Sequence, residues 1–228
     1  MVFGPHRRFL AALAAGIITL LAGITSARAS VISSTPTLPV LDVPYAASFG
    51  VGCFPLAGAC VVPGTITLTS LVSSTFGPSG QDIVANASYI GTLTTLAGVP
   101  IGPVNLSGTL EEEVIGRTSP TELGIWSTKL LALSLSGPAL GHTLMVTLDP
   151  AVLSTGFSSI VPDSGQANRF RIDSFFDVFV ELTLDGPTPL TAKRGPLHLS
   201  LVPEPSTWLL LIGGVAGLGF VRQRQHAA

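Results

Sequence analysis

Phe170-Arg-Ile-Asp-Ser-Phe-Phe-Asp-Val-Phe-Val-Glu-Leu-Thr-Leu184 is the stretch that decides the fold class. Its even positions carry Phe170, Ile172, Ser174, Phe176, Val178, Val180, Leu182 and Leu184; its odd positions carry Arg171, Asp173, Phe175, Asp177, Phe179, Glu181 and Thr183. Successive side chains of a strand point to opposite faces, so this spacing gives one core face and one mostly solvated face. A helix would scatter the four charges around its circumference. The stretch therefore predicts one long strand, or two joined at a bulge near Ser174, closed by the turn signal Asp185-Gly186-Pro187.

The same period of two recurs in fainter form. Ile66 and Leu68 alternate with Thr65, Thr67 and Thr69; Leu131, Leu133 and Leu135 share one parity; Leu144, Val146 and Leu148 oppose Thr143, Met145 and Thr147; Leu197, Leu199 and Leu201 oppose His198 and Ser200. Between them, Gly77-Pro78-Ser79-Gly80, Gly102-Pro103, Gly137-Pro138, Asp149-Pro150, Pro162-Asp163-Ser164-Gly165 and Gly195-Pro196 read as turns or loop entries. No amphipathic helical stripe separates these runs, so the expectation is an all-β, antiparallel sandwich or barrel-like domain. Ser30 to Pro44 reads as an extended, proline-spaced lead-in.

Both ends of the chain read as targeting segments rather than fold. His6, Arg7 and Arg8 precede an apolar run from Phe9 to Ile24, and Ala27-Arg28-Ala29 places small residues where a signal peptidase reads, predicting cleavage between Ala29 and Ser30. At the other end, Pro203-Glu204-Pro205 precedes an apolar segment, 207–221, and a tail containing Arg222 and Arg224. The expected organisation is a signal peptide over 1–29, a β-rich exported domain over 30–202 and a C-terminal signal over 203–228. The 207–221 segment would be about 22 Å long as a transmembrane helix, shorter than a hydrocarbon core of about 30 Å. Its four glycines and its arginine stop suit a temporary hold on the membrane.

Without its ends, the body of about 173 residues has six Lys and Arg against twelve Asp and Glu, a net charge of −6. That balance argues against a nucleic-acid partner and against a polybasic membrane patch. Its size fits one domain with a real core.

The two cysteines, Cys53 and Cys60, enclose a loop containing Pro55 and Gly58. In an oxidising compartment this spacing predicts a local disulfide, with two free thiols as the alternative. A zinc site is not expected, since no neighbouring His or Cys completes a ligand set.

Catalytic signals are sparse. His142 and His198 are the only histidines of the body, and neither lies in His-Glu-x-x-His; no Gly-x-Ser-x-Gly occurs. Glu111-Glu112-Glu113 would alternate faces on a strand and reads as a solvated acidic edge rather than a pair of glycosidase carboxylates. Asp163 to Asn168 is oxygen-rich but lacks the order of a calcium loop. Asn86-Ala-Ser88 and Asn105-Leu-Ser107 match the short glycosylation pattern, which presumes a eukaryotic route. No enzyme, metal or cofactor is expected from these residues.

The order Pro203-Glu204-Pro205, short apolar segment and terminal arginines resembles the PEP-CTERM sorting signal of Gram-negative bacterial surface proteins. The resemblance covers about 26 residues. It implies that a membrane-embedded exosortase recognises Pro203, Glu204 and Pro205 and removes the anchor. It implies as partners a signal peptidase, that exosortase and, transiently, the inner membrane, with a destination at the cell surface or outside the cell. With the low charge, the β pattern and the absent catalytic motifs, the expected function is a noncatalytic surface or extracellular-matrix protein, exported and sorted and associated with exopolysaccharide. The alternatives are a β-sandwich module binding glycans or proteins, for which Phe175, Phe179 and Trp126 on one solvent face would be the mark, and a secreted hydrolase.

Overall fold

A computed structural model describes residues 30–47 and 52–202. The expected signal peptide, the 207–221 segment, Pro203-Glu204-Pro205, Arg222, Arg224 and Ala29 lie outside the described residues. Among the described residues there are eleven strands: β1 Val31–Ser33, β2 Pro44–Ala47, β3 Gly52–Phe54, β4 Ala59–Phe76, β5 Gly80–Thr95, β6 Pro100–Ile115, β7 Gly124–Ala139, β8 His142–Leu148, β9 Ser154–Pro162, β10 Phe170–Leu184 and β11 Leu190–Leu201. All pairings are antiparallel and belong to one sheet. The all-β expectation stands, and the barrel is the form it takes.

Closure follows from the pairings of β10 and β11. β10 pairs β11 on one edge and, on the other, β9 through Phe170–Ser174 and β8 through Val180–Leu184. β11 pairs β2, and β2 pairs β4. β8 and β9 run in the same direction and divide β7 between them, so they are two pieces of one interrupted stave; β2 and β3 likewise share β4. The chain thus meanders around eight staves and returns to its start; on β4, whose far stretch from Leu68 to Phe76 has no strand partner on that edge among the described residues, Asp42 of the lead-in meets Leu68 O. β1 adds a short piece to β10, beside Phe170 to Ile172, where β11 has ended.

Alternation then assigns the two faces. Ile172, Phe176, Val178, Val180, Leu182 and Leu184 of β10 are buried in the barrel interior with Leu199 and Leu201 of β11, Ile66 and Leu68 of β4 and Leu144 of β8. β10 is a single strand; its irregularity lies at Phe179, where Gly195 and Pro196 of β11 bulge between Val178 and Val180. Three expected turns prove to be strand interior: Pro103 pairs Thr92, Pro138 pairs Thr143, and Gly195-Pro196 forms that bulge. Gly137 serves close approach instead of a turn, because a Cβ there would meet the Asn105 carbonyl oxygen at 2.2 Å.

β7 holds a second departure from simple alternation. Glu111 pairs Ala132 while Glu112 pairs Leu130, so Leu131 is the extra residue of a bulge. Leu130 is 2% exposed and Leu131 is 46% exposed, so the expected trio of Leu131, Leu133 and Leu135 is really Leu130, Leu133 and Leu135. A bulge reverses side-chain parity, and period-two reasoning cannot pass through it.

One end of the barrel is closed by the lead-in, residues 34–43. Leu38, Val40 and Val43 are buried in the core, and Asp42 donates its amide to Leu68 O at 2.8 Å. Arg117, fully buried, holds this strap: Nη2 donates to Pro36 O at 2.6 Å and Pro120 O at 3.0 Å, and Nη1 donates to Gln81 Oε1. Gln81 in turn donates to Leu38 O at 3.2 Å and to Ser74 Oγ at 2.8 Å. The guanidinium carbon lies 5.4 Å from the Trp126 ring centroid and 5.7 Å from that of Phe76. Trp126 is 7% exposed and belongs to this buried cluster, which removes it from any solvent-facing aromatic set.

The β7 bulge makes a direct prediction. Leu130→Ala should cost about 2–5 kcal/mol in urea unfolding, whereas Leu131→Ala should change stability by less than about 0.5 kcal/mol; equal losses would place the bulge elsewhere.

Candidate functional site

β11 is the last described element, and the expected recognition motif follows it almost without a spacer. Leu201 pairs Tyr45, Val202 donates its amide to Pro44 O at 2.9 Å, and the next residue is Pro203. The pairings also locate the other chain end: Val31 lies opposite Ile172 and Ser200 opposite Phe175 on the same edge of β10. Ser30 and Leu201 therefore meet neighbouring positions of one strand. The expected mature N-terminus and the start of the C-terminal signal leave the barrel at one place.

Cys53 and Cys60 are bonded, with a Cα–Cα distance of 4.0 Å, and they face each other directly across β3 and β4. The cross-link joins strands flanking the 3-10 turn Pro55–Ala57, whose chain reverses through Gly58 in the left-handed region. The disulfide expectation holds.

The hairpin tips at this disulfide end surround a shallow hollow. His142 and Asp185 meet there, Nδ1 to Oδ1 3.8 Å, with Gly141, Gly186 and Pro187 around them. Asp185 Oδ1 accepts from the Thr143 amide at 2.5 Å, and that bond, first, holds its carboxyl below the usual range. Leu56, 87% exposed, and Leu140 line the adjoining surface. No Ser, Thr or Cys is hydrogen-bonded to His142 among the described residues, so the pair lacks the nucleophile of a triad.

A second polar group lies on the outer face of β10. His198 Nδ1 is 2.8 Å from Asp177 Oδ1 across the β10–β11 pairing. The Phe175 ring sits 5.1 Å from the His198 ring and 5.5 Å from Phe157, centroid to centroid. All four residues are half-buried. Further along, Lys193 bridges Asp149 at 2.9 Å and Glu181 at 3.4 Å. The histidine–carboxylate pair and the tilted ring contacts form an amphipathic patch on the outer face, suited to contact rather than enclosure.

The barrel interior corrects the reading of the glutamate run. Glu113 faces outward and pairs Lys129 at 3.8 Å, but Glu112 is only 2% exposed. It lies among Tyr45, Leu110, Leu130 and Phe176 beside a void of about 10 Å³. Burial raises its pKa from 4.5 to about 8, so its carboxyl is protonated at neutral pH. The Tyr45 hydroxyl is pushed up by burial first and by the Glu112 charge second, while a hydrogen bond with Ser174 acts in the opposite sense. Ser174 Oγ is 3.0 Å from Ser158 Oγ, and Thr128 Oγ1 is buried nearby without a hydrogen-bond partner among the described residues. These buried polar groups, together with Arg117 and Gln81 at the strapped end, interrupt the apolar core. Their sequence signal was parity: Glu112 shares the inward face with Leu110 and Val114, and Thr128 with Trp126 and Leu130.

Among the described residues no cluster of three or more His, Cys, Asp or Glu side chains is arranged to hold a metal ion. No helix among them is long and apolar enough to cross a membrane.

A family model for the PEP-CTERM protein-sorting motif matches residues 201–225. The chain carries that motif, and its match begins at Leu201, the final residue of β11. Pro203, Glu204, Pro205, Arg222 and Arg224 all fall inside the matched span. The motif marks an exported protein sorted by an exosortase, passing through a membrane-anchored stage on the way to the surface. No curated protein and no solved structure matches the chain.

Glu112 sets a pH dependence whose sign is fixed by its shift. Its folded pKa, about 8, exceeds the ordinary 4.5, so its favourable contribution is complete below pH 4.5 and is lost as pH rises through 8. Glu112→Gln removes this loss and should stabilise the protein by about 3 kcal/mol at pH 7, with a smaller gain at pH 5. Urea unfolding at both pH values checks it; a gain independent of pH would mean that Glu112 does not titrate this way.

Proposed function

We propose that this exosortase-sorted chain is a noncatalytic protein of the cell surface or extracellular matrix, associated there with exopolysaccharide. The observation that carries the reading is the sorting motif fused directly to the last barrel strand. A closed barrel with a disulfide and a strapped end suits a module that persists outside the cell, where chaperones and energy for repair are lacking. The polar groups support the same reading. Glu112 and Arg117 are committed to the interior, His142 meets Asp185 without a nucleophile beside it, and His198 is engaged by Asp177 and by the tilted ring of Phe175.

A glycan-binding role is the second reading, favoured by the outer patch of Phe157, Phe175, His198 and Asp177. Aromatic faces stack on the apolar faces of sugar rings while the neighbouring carboxylate accepts hydroxyl hydrogens. This patch replaces the set containing Trp126, which is buried.

Two experiments test these readings. Replacing Pro203-Glu204-Pro205 with three alanines, in a host possessing an exosortase, should leave an unprocessed, membrane-held form visible by mass and fractionation; processing identical to the parent would refute recognition through these residues. On a polysaccharide array, the parent should bind and Phe175→Ala should lose at least most of that signal if the outer patch is the glycan site. Binding that Phe175→Ala leaves intact would favour the matrix reading without that patch.

A further inference from the structure

The barrel lumen holds a cavity of about 60 Å³, lined by Ile66 of β4, Leu133 and Leu135 of β7, Val146 of β8 and Val180 of β10 among others. A barrel of eight staves is at the size where side chains either fill the interior or leave room for one small ligand. Here the filling falls short by the volume of about two water molecules. Water is a poor occupant. Apart from Arg194, the only polar side chain on the lining among the described residues is Tyr89, whose hydroxyl hydrogen is already committed to Val62 O at 2.7 Å. Its ring lies over Gly91, in space that a Cβ there would need, and so runs along the wall. A cavity with so few polar partners stays dry and accepts apolar guests.

One charge meets this space. Arg194 stands directly opposite Val180 in the β10–β11 pairing, beside the bulge at Gly195 and Pro196, so its side chain starts on the inner face. It lines the cavity and is exposed, which puts it where the lumen meets solvent. Among the described residues it forms no salt bridge. The neighbouring carboxylates, Asp149 and Glu181, are already bridged by Lys193. An apolar space with an uncommitted guanidinium at its opening complements a molecule with an alkyl tail and an anionic head. A single cation answers a single negative charge, and the planar fork of a guanidinium matches a carboxylate with two parallel hydrogen bonds.

We propose that the lumen is a binding site for a short, unbranched monocarboxylic acid, with its alkyl tail in the cavity and its carboxylate on Arg194. The small volume sets the length of the tail and excludes rings and branches. The site is separate from the outer patch around Phe175 and goes beyond both the sorting and the glycan readings, since it lies on the inner side of the same strands.

The full chain in lipid nanodiscs gives the test, titrated with sodium acetate, propanoate, butanoate, pentanoate and hexanoate and read by saturation-transfer NMR against empty discs. Affinity should rise about fourfold per added methylene and level off by pentanoate, when the cavity is full. Uncharged 1-butanol should bind several-fold more weakly than butanoate. In Arg194→Gln that preference for the acid should vanish while the dependence on chain length remains. In Leu135→Ala the levelling-off should move to a longer acid; Val146→Ala, at a half-buried position of the same lining, repeats the enlargement if Leu135→Ala does not fold. No saturable binding of any acid overturns the proposal, and so does binding that empty discs reproduce or that climbs evenly through hexanoate. An acid preference that survives Arg194→Gln overturns the carboxylate contact, and a levelling-off left in place by the enlarged cavity overturns the position of the tail.

Discussion

Everything in this molecule depends on the meander satisfying its last open edge. A sheet of strands this long would present rows of unpaired amides and carbonyls along its margins, which is costly and invites aggregation. β11 returns to β2, and β10 pairs on both sides, so the first and last staves satisfy one another. The seam between β11 and β2 is short, with three paired positions from Leu199 to Leu201. It is also the seam from which the sorting motif departs, so the closing strand of the fold and the address of the chain are covalently adjacent.

Closure leaves the interior with a packing problem that side chains solve in different ways at different heights. The middle is filled by alternating aliphatics, and one end is sealed by a strap bound to Arg117 rather than by a strand. Burying a guanidinium is expensive unless its donors are met, and here carbonyls, an amide oxygen and two aromatic faces meet most of them. Glu112 is handled by the other available means: it keeps its proton. Each buried polar group thus sets a condition on the fold, the first geometric and the second chemical.

Much of the outside follows from inside by alternation. Because Ile172 to Leu184 face the core at even positions, Asp173, Phe175, Asp177 and Glu181 face outward, and the pairing with β11 brings His198 against Asp177. That outer pair was invisible to motif reading, since the two residues are 21 positions apart and only strand register joins them. Parity was equally able to mislead. It grouped Leu131 with the core because a one-residue bulge leaves no local mark in composition, and for the three glutamates it gave alternate faces but not the depth at which the closed barrel buries the inner one.

The sequence by itself determined the strand class, the pairing of Cys53 with Cys60 and the sorting address, because period-two alternation, a short cysteine loop and a tripartite tag are each local in the chain. Tertiary structure alone decided that the sheet closes, that Glu112 and Trp126 lie inside, and that Ser30 and Leu201 share a footprint. The physical reason is the same in each case. Closure and burial depend on which distant strands share hydrogen bonds, and register between strands is settled by the packing of the whole barrel rather than by any one segment.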